Sequence, residues 1–196
     1  MANVHAMRIP GRWRDGYALD YHTLSSTCLG DDEFGHPMFD TKRSEVGELL
    51  YRLKYQSDQS TIPEIVDAAA TFVTSWNPGV EVVVPVPASR ARALQPVLLL
   101  GDALAKRLKI PFLPDCVAKV REVPELKNVY EYDERLRLLA GAHAVDPARV
   151  QGRRILLFDD LYRSGATMNA ITALLYDQGA APDVFALTIT RTRSTG

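Results

Sequence analysis

The segment Ile155-Leu156-Leu157-Phe158-Asp159-Asp160-Leu161-Tyr162-Arg163-Ser164-Gly165-Ala166-Thr167 constrains the fold more than any other part of the chain. Its apolar start suits a strand covered on both faces, and such a strand requires a sheet with helices on either side. The strand is expected over Arg154–Phe158, ending at two adjacent carboxylates. A short polar loop follows, then a helix over 166–178 stopped by Gly179. Loop N–H groups and a helix N-terminus attract an anion, while carboxylates accept hydrogen bonds from hydroxyls. Strand, acid pair, loop and helix start together read as a site for a phosphorylated sugar.

The rest of the chain repeats the alternation. A helix over 43–56, capped by Asp40 or Thr41, would bury Val46, Leu49, Leu50 and Leu53. Thr61 and Glu64 form a capping box with Pro63 in the first turn, so 62–76 reads as a second helix. Val80–Val86 is a buried strand, and Gln95–Leu108 a helix opened by Pro96. A short strand at Val117–Val120, a helix over 132–140 and a last strand at Val184–Thr190 complete the pattern. Strands alternating with helices imply a mostly parallel sheet covered on both faces. Ligands of such sheets bind beyond the strands' carboxyl ends, where the acid pair lies. Residues 1–40, rich in Gly, Asp, His and aromatics, are expected to form a separate hairpin or irregular lobe before a domain over 41–196.

Bulk properties exclude several classes. A formal net charge of −1 gives no basic field for nucleic acid or a membrane surface. No apolar run reaches the ~18–20 residues of a membrane helix, and the N-terminus lacks a signal-peptide core. Cys28 and Cys116 are far apart, which fits two reduced thiols in a cytoplasmic protein. A Walker-type nucleotide hydrolase would need GxxxxGK followed by Ser or Thr, and a dinucleotide site would need GxGxxG; both motifs are absent. A receiver domain can end a strand in acids, but it gives the Ser164–Thr167 loop no purpose.

A second strand also empties into a loop, at Val82-Val83-Val84-Pro85-Val86-Pro87-Ala88-Ser89-Arg90-Ala91-Arg92. Arg90 and Arg92 offer charge-assisted contacts to phosphate, and Ser89 a hydroxyl and a backbone N–H.

The run 155–167 resembles the phosphoribosyl diphosphate (PRPP) signature of type I phosphoribosyltransferases, and the loop after Val86 falls where those enzymes bind diphosphate. With Leu53-Lys54-Tyr55, Lys119-Val120-Arg121, Glu134-Arg135-Leu136, Gly141-Ala142-His143-Ala144-Val145 and Thr188-Ile189-Thr190-Arg191-Thr192, the chain from 45 to 193 resembles the ComF family of competence-protein-like phosphoribosyltransferases. The resemblance implies a type I phosphoribosyltransferase fold: a twisted, mostly parallel sheet flanked by helices, with a small N-terminal hood. It implies transfer of a 5-phosphoribosyl group from PRPP to a nitrogenous acceptor, with release of diphosphate. Asp159 and Asp160 would hold the ribose hydroxyls and support the developing cation. Arg163, Ser164, Gly165, Ala166 and Thr167 would hold the 5′-phosphate, and Ala88, Ser89, Arg90 and Arg92 the diphosphate.

The stretch 119–138 reads as a lid, with Lys119, Arg121 and Lys127 as its cations toward diphosphate. Tyr130 and Tyr132 read as packing residues. Mg²⁺ would arrive on the diphosphate, without a firm protein ligand. The acceptor would meet the hood, where His22, Thr23, Ser25, Ser26, Phe34 and His36 are candidates by location. A homodimer is left open. Two other readings stand beside the transferase: a non-catalytic PRPP- or nucleotide-binding accessory protein linked to DNA uptake or nucleotide metabolism, and a hydrolase of a phosphoribosylated compound.

Two departures from the relatives matter. Many carry a four-cysteine zinc ribbon at the N-terminus, whereas residues 1–40 hold one cysteine, so no zinc is implied. Arg163 stands where relatives usually carry Thr and purine-salvage enzymes carry Asp; a guanidinium cannot serve as that base.

Overall fold

The computed structural model describes residues 2–88, 94–123, 129 and 131–193. At its centre is a five-stranded sheet in the order β1-β2-β9-β8-β5. Its strands are β1 (Met7–Arg8), β2 (Asp15–Tyr21), β5 (Val82–Pro85), β8 (Ile155–Tyr162) and β9 (Val184–Arg191). β2, β9, β8 and β5 run parallel, and only β1 is antiparallel to its neighbour.

Side chains alternate across a strand, so β8 sends Leu156 and Phe158 to one face and Ile155 and Leu157 to the other. The first face packs against α1 (Glu45–Tyr55), α2 (Ile62–Trp76) and α3 (Pro96–Leu108) through Leu50, Leu53, Ile65, Leu100 and Leu104. The second is covered by α6 (Ala166–Asp177) through Met168, Ile171 and Leu175, with Trp13 beside them. No helix among the described residues is long and apolar enough to cross a membrane.

α3 lies close on the sheet because Gly101 has no side chain. A Cβ there would come within 2.8 Å of the Phe112 ring and 3.4 Å of Phe158. Gly101→Val is therefore expected to destabilise the protein by about 1–3 kcal/mol through overpacking. Urea denaturation measures this, and an unchanged midpoint would mean that the helix is free to lift.

Several elements differ from the sequence expectation. β8 does not stop at Phe158 but carries both acids and ends at Tyr162, because β9 continues beside it with Asp159 opposite Thr188 and Leu161 opposite Thr190. α1 is capped by Ser44 rather than Asp40 or Thr41; its hydroxyl oxygen accepts from Gly47 N–H at 3.0 Å and its O–H donates to the Tyr21 carbonyl. The Thr61 capping box does not form, since that hydroxyl donates to the Asp58 carbonyl at 2.8 Å. β6 (Val117–Lys119) leaves the main sheet and pairs antiparallel with β7 (His143–Val145), which the short α5 (Pro147–Val150) follows.

Residues 1–40 do not form one lobe. β2 is an inner strand of the sheet with Ala18 and Leu19 fully buried, and only the ribbon of β3 (Ser25–Asp31) and β4 (Pro37–Lys42) stands apart from it.

Candidate functional site

A cleft opens where β5 leaves the sheet. The strand ends at Pro85, level with Phe158, and Val86 N–H makes a last bond to the Phe158 carbonyl at 2.8 Å. β8 continues alone on that side, so Asp159 through Tyr162 border open space. The resulting cleft of about 580 Å³ is lined by Val86–Ala88, by the whole stretch Asp159–Met168, and by Lys54, Lys119, Arg135 and His143.

The two carboxylates have different partners. Asp160 follows Leu156 and Phe158 onto the α1 face, where Lys54 Nζ lies 2.8 Å from its Oδ2 and both side chains are only 12–13% exposed. Asp159 points to the other face, and its one hydrogen bond among the described residues comes from Asp160 N–H at 2.8 Å. Burial, and after it the charge of Asp160, push Asp159 up to about 8, against the Asp160 N–H and Lys54. The cleft therefore pairs one lysine-bound carboxylate with one that holds its proton near neutrality.

The loop after the acids is fixed from beneath. Gly165 has φ 73° and caps α6, and a Cβ there would meet the Tyr162 ring at 2.7 Å. Tyr162 is held by its O–H donating to Pro10 at 3.0 Å and by an edge-on contact with Trp13. Only glycine fits both the backbone angle and the ring. α6 starts at Ala166, and the N–H groups of a first helical turn have no intrahelical acceptor, so they are available to an anion in the cleft. Buried Asn169 locks this helix in place: its Oδ1 accepts from Arg12 N–H at 2.6 Å, and its Nδ2 donates to the Tyr132 hydroxyl at 2.8 Å.

Asp159, Asp160, Arg163, Ser164, Gly165, Ala166, Thr167, Ala88 and Lys119 thus come together around one cleft. Lys119 is bonded there to Glu122 at 2.7 Å. Arg121 is engaged elsewhere: its Nη2 donates to the Leu138 and Ala140 carbonyls at 2.7 and 2.9 Å, closing the end of α4 (Tyr132–Leu139). Ser89, Arg90, Arg92, Lys127 and Tyr130 lie outside the described residues.

Lys54 and His143 are cleft residues too; the sequence singles out their segments only for the family resemblance and assigns neither a role. His143 sits opposite Lys119 in the β6–β7 ribbon, and burial, then Lys119, lower its pKa. Among the hood candidates, His22, Thr23, Ser25 and Ser26 line a second, smaller cavity with Leu24, Thr192 and Arg193. Phe34 and His36 belong to neither cavity; they sit at the exposed tip between β3 and β4, where His36 N–H donates to Asp32 at 2.8 Å. No three His, Cys, Asp or Glu side chains gather as a metal cage among the described residues.

No protein-family model matches the sequence, and no curated protein matches it. Solved structures do. The chain is similar to adenine phosphoribosyltransferase from Trypanosoma brucei in complex with AMP, pyrophosphate and ribose-5-phosphate, at 14% identity and a TM-score of 0.50, over 94% of this chain and 74% of that one. It is also similar to glutamine PRPP amidotransferase from B. subtilis complexed with ADP and GMP, at 17% identity and a TM-score of 0.50. That match covers 81% of this chain but 34% of the amidotransferase. Likeness at such identity is a likeness of fold, and the fold is the α/β architecture of the type I phosphoribosyltransferases, a mostly parallel sheet flanked by helices.

Proposed function

We propose that the protein is a phosphoribosyltransferase of the ComF type, transferring the 5-phosphoribosyl group of PRPP to a nitrogenous acceptor. The observation that carries the reading is one continuous stretch, Asp159–Met168, that presents an acid pair and a helix N-terminus to the same cleft. The spacing suits a sugar phosphate. Carboxylates accept from the 2′- and 3′-hydroxyls while the N–H groups of Ser164–Thr167 bind the 5′-phosphate. Ala88 and the loop beyond it take the diphosphate.

In the reaction, the acceptor nitrogen's lone pair forms the bond to C1 as the C1–O bond breaks, and that electron pair leaves with diphosphate. The nitrogen's proton passes to solvent. The transition state resembles an oxocarbenium ion, so the negative charge of the Asp160 carboxylate, beside a neutral Asp159, stabilises it more than the ground state. Mg²⁺ carried on the diphosphate would supply charge neutralisation to the leaving group; the carboxylates lining the cleft among the described residues are Asp159, Asp160 and Glu122, and none is assigned as a firm ligand.

The test combines titration calorimetry of PRPP–Mg²⁺ with diphosphate release across a panel of bases and amines. Asp160→Asn is expected to cut turnover by about 10²–10³-fold, the usual cost of one electrostatic group aimed at the reacting centre. Binding without turnover on any acceptor would point to the PRPP-binding accessory protein instead. Absence of PRPP binding would refute both.

A further inference from the structure

The β3–β4 ribbon is the least supported part of the fold. Every residue of β3 is exposed, as is every residue of β4 but Thr41, and no third strand pairs with either among the described residues. A two-stranded ribbon alone is only marginally stable in water. This one nevertheless holds large apolar side chains in the open: Phe34 is 76% exposed, Leu29 63%, Phe39 57% and Met38 44%. Single exposed apolar residues are ordinary, but a cluster on one short ribbon marks an interaction surface.

The two ends of the ribbon complement each other. At the tip, the Asp32 carboxylate accepts from the Phe34 and His36 N–H groups at 2.9 and 2.8 Å, and Asp32 N–H donates to the His36 carbonyl at 2.8 Å. Gly35, with φ 79°, closes the turn. Phe34 is therefore presented outward by a fixed turn, as a preorganised aromatic anchor is. At the foot lies the second cavity, about 250 Å³, lined by the run His22–Ser26 with Thr192 and Arg193. It shares no lining residue with the first cleft, so the transferase reading leaves it without an occupant. Its volume falls below the ~300–1,000 Å³ of sites for drug-sized ligands and suits one side chain. The wall is more apolar than polar, and Arg193 offers a guanidinium to an aromatic face.

Phe34 cannot fill the cavity of its own chain, because Ser25 and Asp31 stand roughly 20 Å apart along extended β3 at ~3.3 Å per residue. A second copy can. With two β3 strands antiparallel about a twofold axis near Cys28, the middle residue of β3, each tip falls beside the other's foot. β3 is the edge open to such pairing: β4 starts at Pro37, which has no N–H, and ends at Lys42, whereas β3 holds neither proline nor a cation. Charge agrees. Asp31 and Glu33 stand at the tip, while Lys42, opposite Ser25, and Arg193 stand at the foot, so antiparallel packing sets unlike charges side by side.

We propose that the protein is a twofold dimer through this ribbon, with each Phe34 seated in the second cavity of the other copy. The interface is isologous, so one patch supplies both knob and hole. It holds whether or not the first cleft transfers a phosphoribosyl group.

Light scattering on the full chain across the micromolar range is expected to find a dimer. Phe34→Ala should weaken it at least tenfold, the cost of losing a seated aromatic anchor, and leave the far-ultraviolet circular dichroism unchanged because the side chain is exposed. Ser25→Trp fills the hole and should weaken self-association by the same margin. An equal mixture of the two variants should dimerise again, since the Ser25→Trp chain supplies a Phe34 and the Phe34→Ala chain an open cavity. Diamide takes two electrons and two protons from a pair of thiols. It should join Cys28 to the partner's Cys28 in wild type and not in Phe34→Ala, while buried Cys116 does not compete. A monomeric wild type, a dimer that survives either substitution, variants that fail to complement each other, or a dimer without the Cys28 cross-link overturns the proposal.

Discussion

Lys54→Met is expected to lower the unfolding free energy by about 3–5 kcal/mol, because it leaves one member of a buried ion pair without its partner. Lys54 comes from the last turn of α1 and meets Asp160 at 2.8 Å, with both side chains almost covered. Removing the ammonium strands the Asp160 carboxylate, which is only 12% exposed, without a counter-charge. For a domain of this size the loss corresponds to a fall of roughly 6–20 °C in Tm. Thermal melts at pH 7 measure it. The double variant Lys54→Met with Asp160→Asn should recover most of the loss, since two neutral groups leave no uncompensated charge. A single variant within 0.5 kcal/mol of wild type, roughly the range of ordinary surface substitutions, would mean that the pair is solvated and does not hold α1 to the site.

This pair also marks the limit of what the sequence reveals. The strand, acids, loop and helix of 155–177 are contiguous, so apolar run, caps and breakers are enough to read them. The helices α2 and α3 are legible for the same reason, with Pro63 and Pro96 in their first turns. What the acids touch is a tertiary fact: Lys54 reaches Asp160 only once α1 packs across β8, and nothing near Lys54 announces a partner. The end of β8 is tertiary too, because only β9 running alongside satisfies its backbone beyond Phe158.

β2 was hidden by its own polarity. Asp15 and Asp20 make the segment resemble an exposed hairpin strand, yet both are satisfied inside the fold. Asp15 accepts from Trp76 Nε1 at 3.1 Å, and buried Asp20 from His5 N–H at 3.2 Å and Tyr21 N–H at 2.7 Å. Polar strand residues that find hydrogen-bond partners in the fold defeat a hydrophobicity pattern because the pattern measures transfer, not pairing. Arg121 shows the converse. A cation in a suspected lid reads as a ligand for phosphate, but helix carbonyls at the end of α4 compete for it.

Asp159→Asn is expected to remove a loss of stability that wild type undergoes between about pH 4 and pH 8. An aspartate in an unfolded chain titrates near ~3.9, whereas in the fold Asp159 is pushed up to about 8, chiefly by burial and then by Asp160. Across that window the folded state holds a proton that the unfolded state has released, so folding stability falls as pH rises. The contribution is complete below the unfolded value and gone once pH passes the folded one. Asp159 is not sealed from solvent at the cleft floor, so screening leaves a loss of about 1–2 kcal/mol rather than the full shift. Asparagine keeps an oxygen for the Asp160 N–H and carries no charge, so the variant should be the more stable protein at pH 8 and nearly equal to wild type at pH 4. Urea denaturation of both proteins at the two pH values gives the difference directly; parallel pH profiles would show that Asp159 ionises freely. The same proton bears on the sugar. A protonated carboxyl can donate to one ribose oxygen and accept from a hydroxyl, whereas a carboxylate can only accept. PRPP affinity of Asp159→Asn should therefore match wild type near pH 6 and diverge from it above pH 8, where the native carboxyl has lost the donor that the amide keeps.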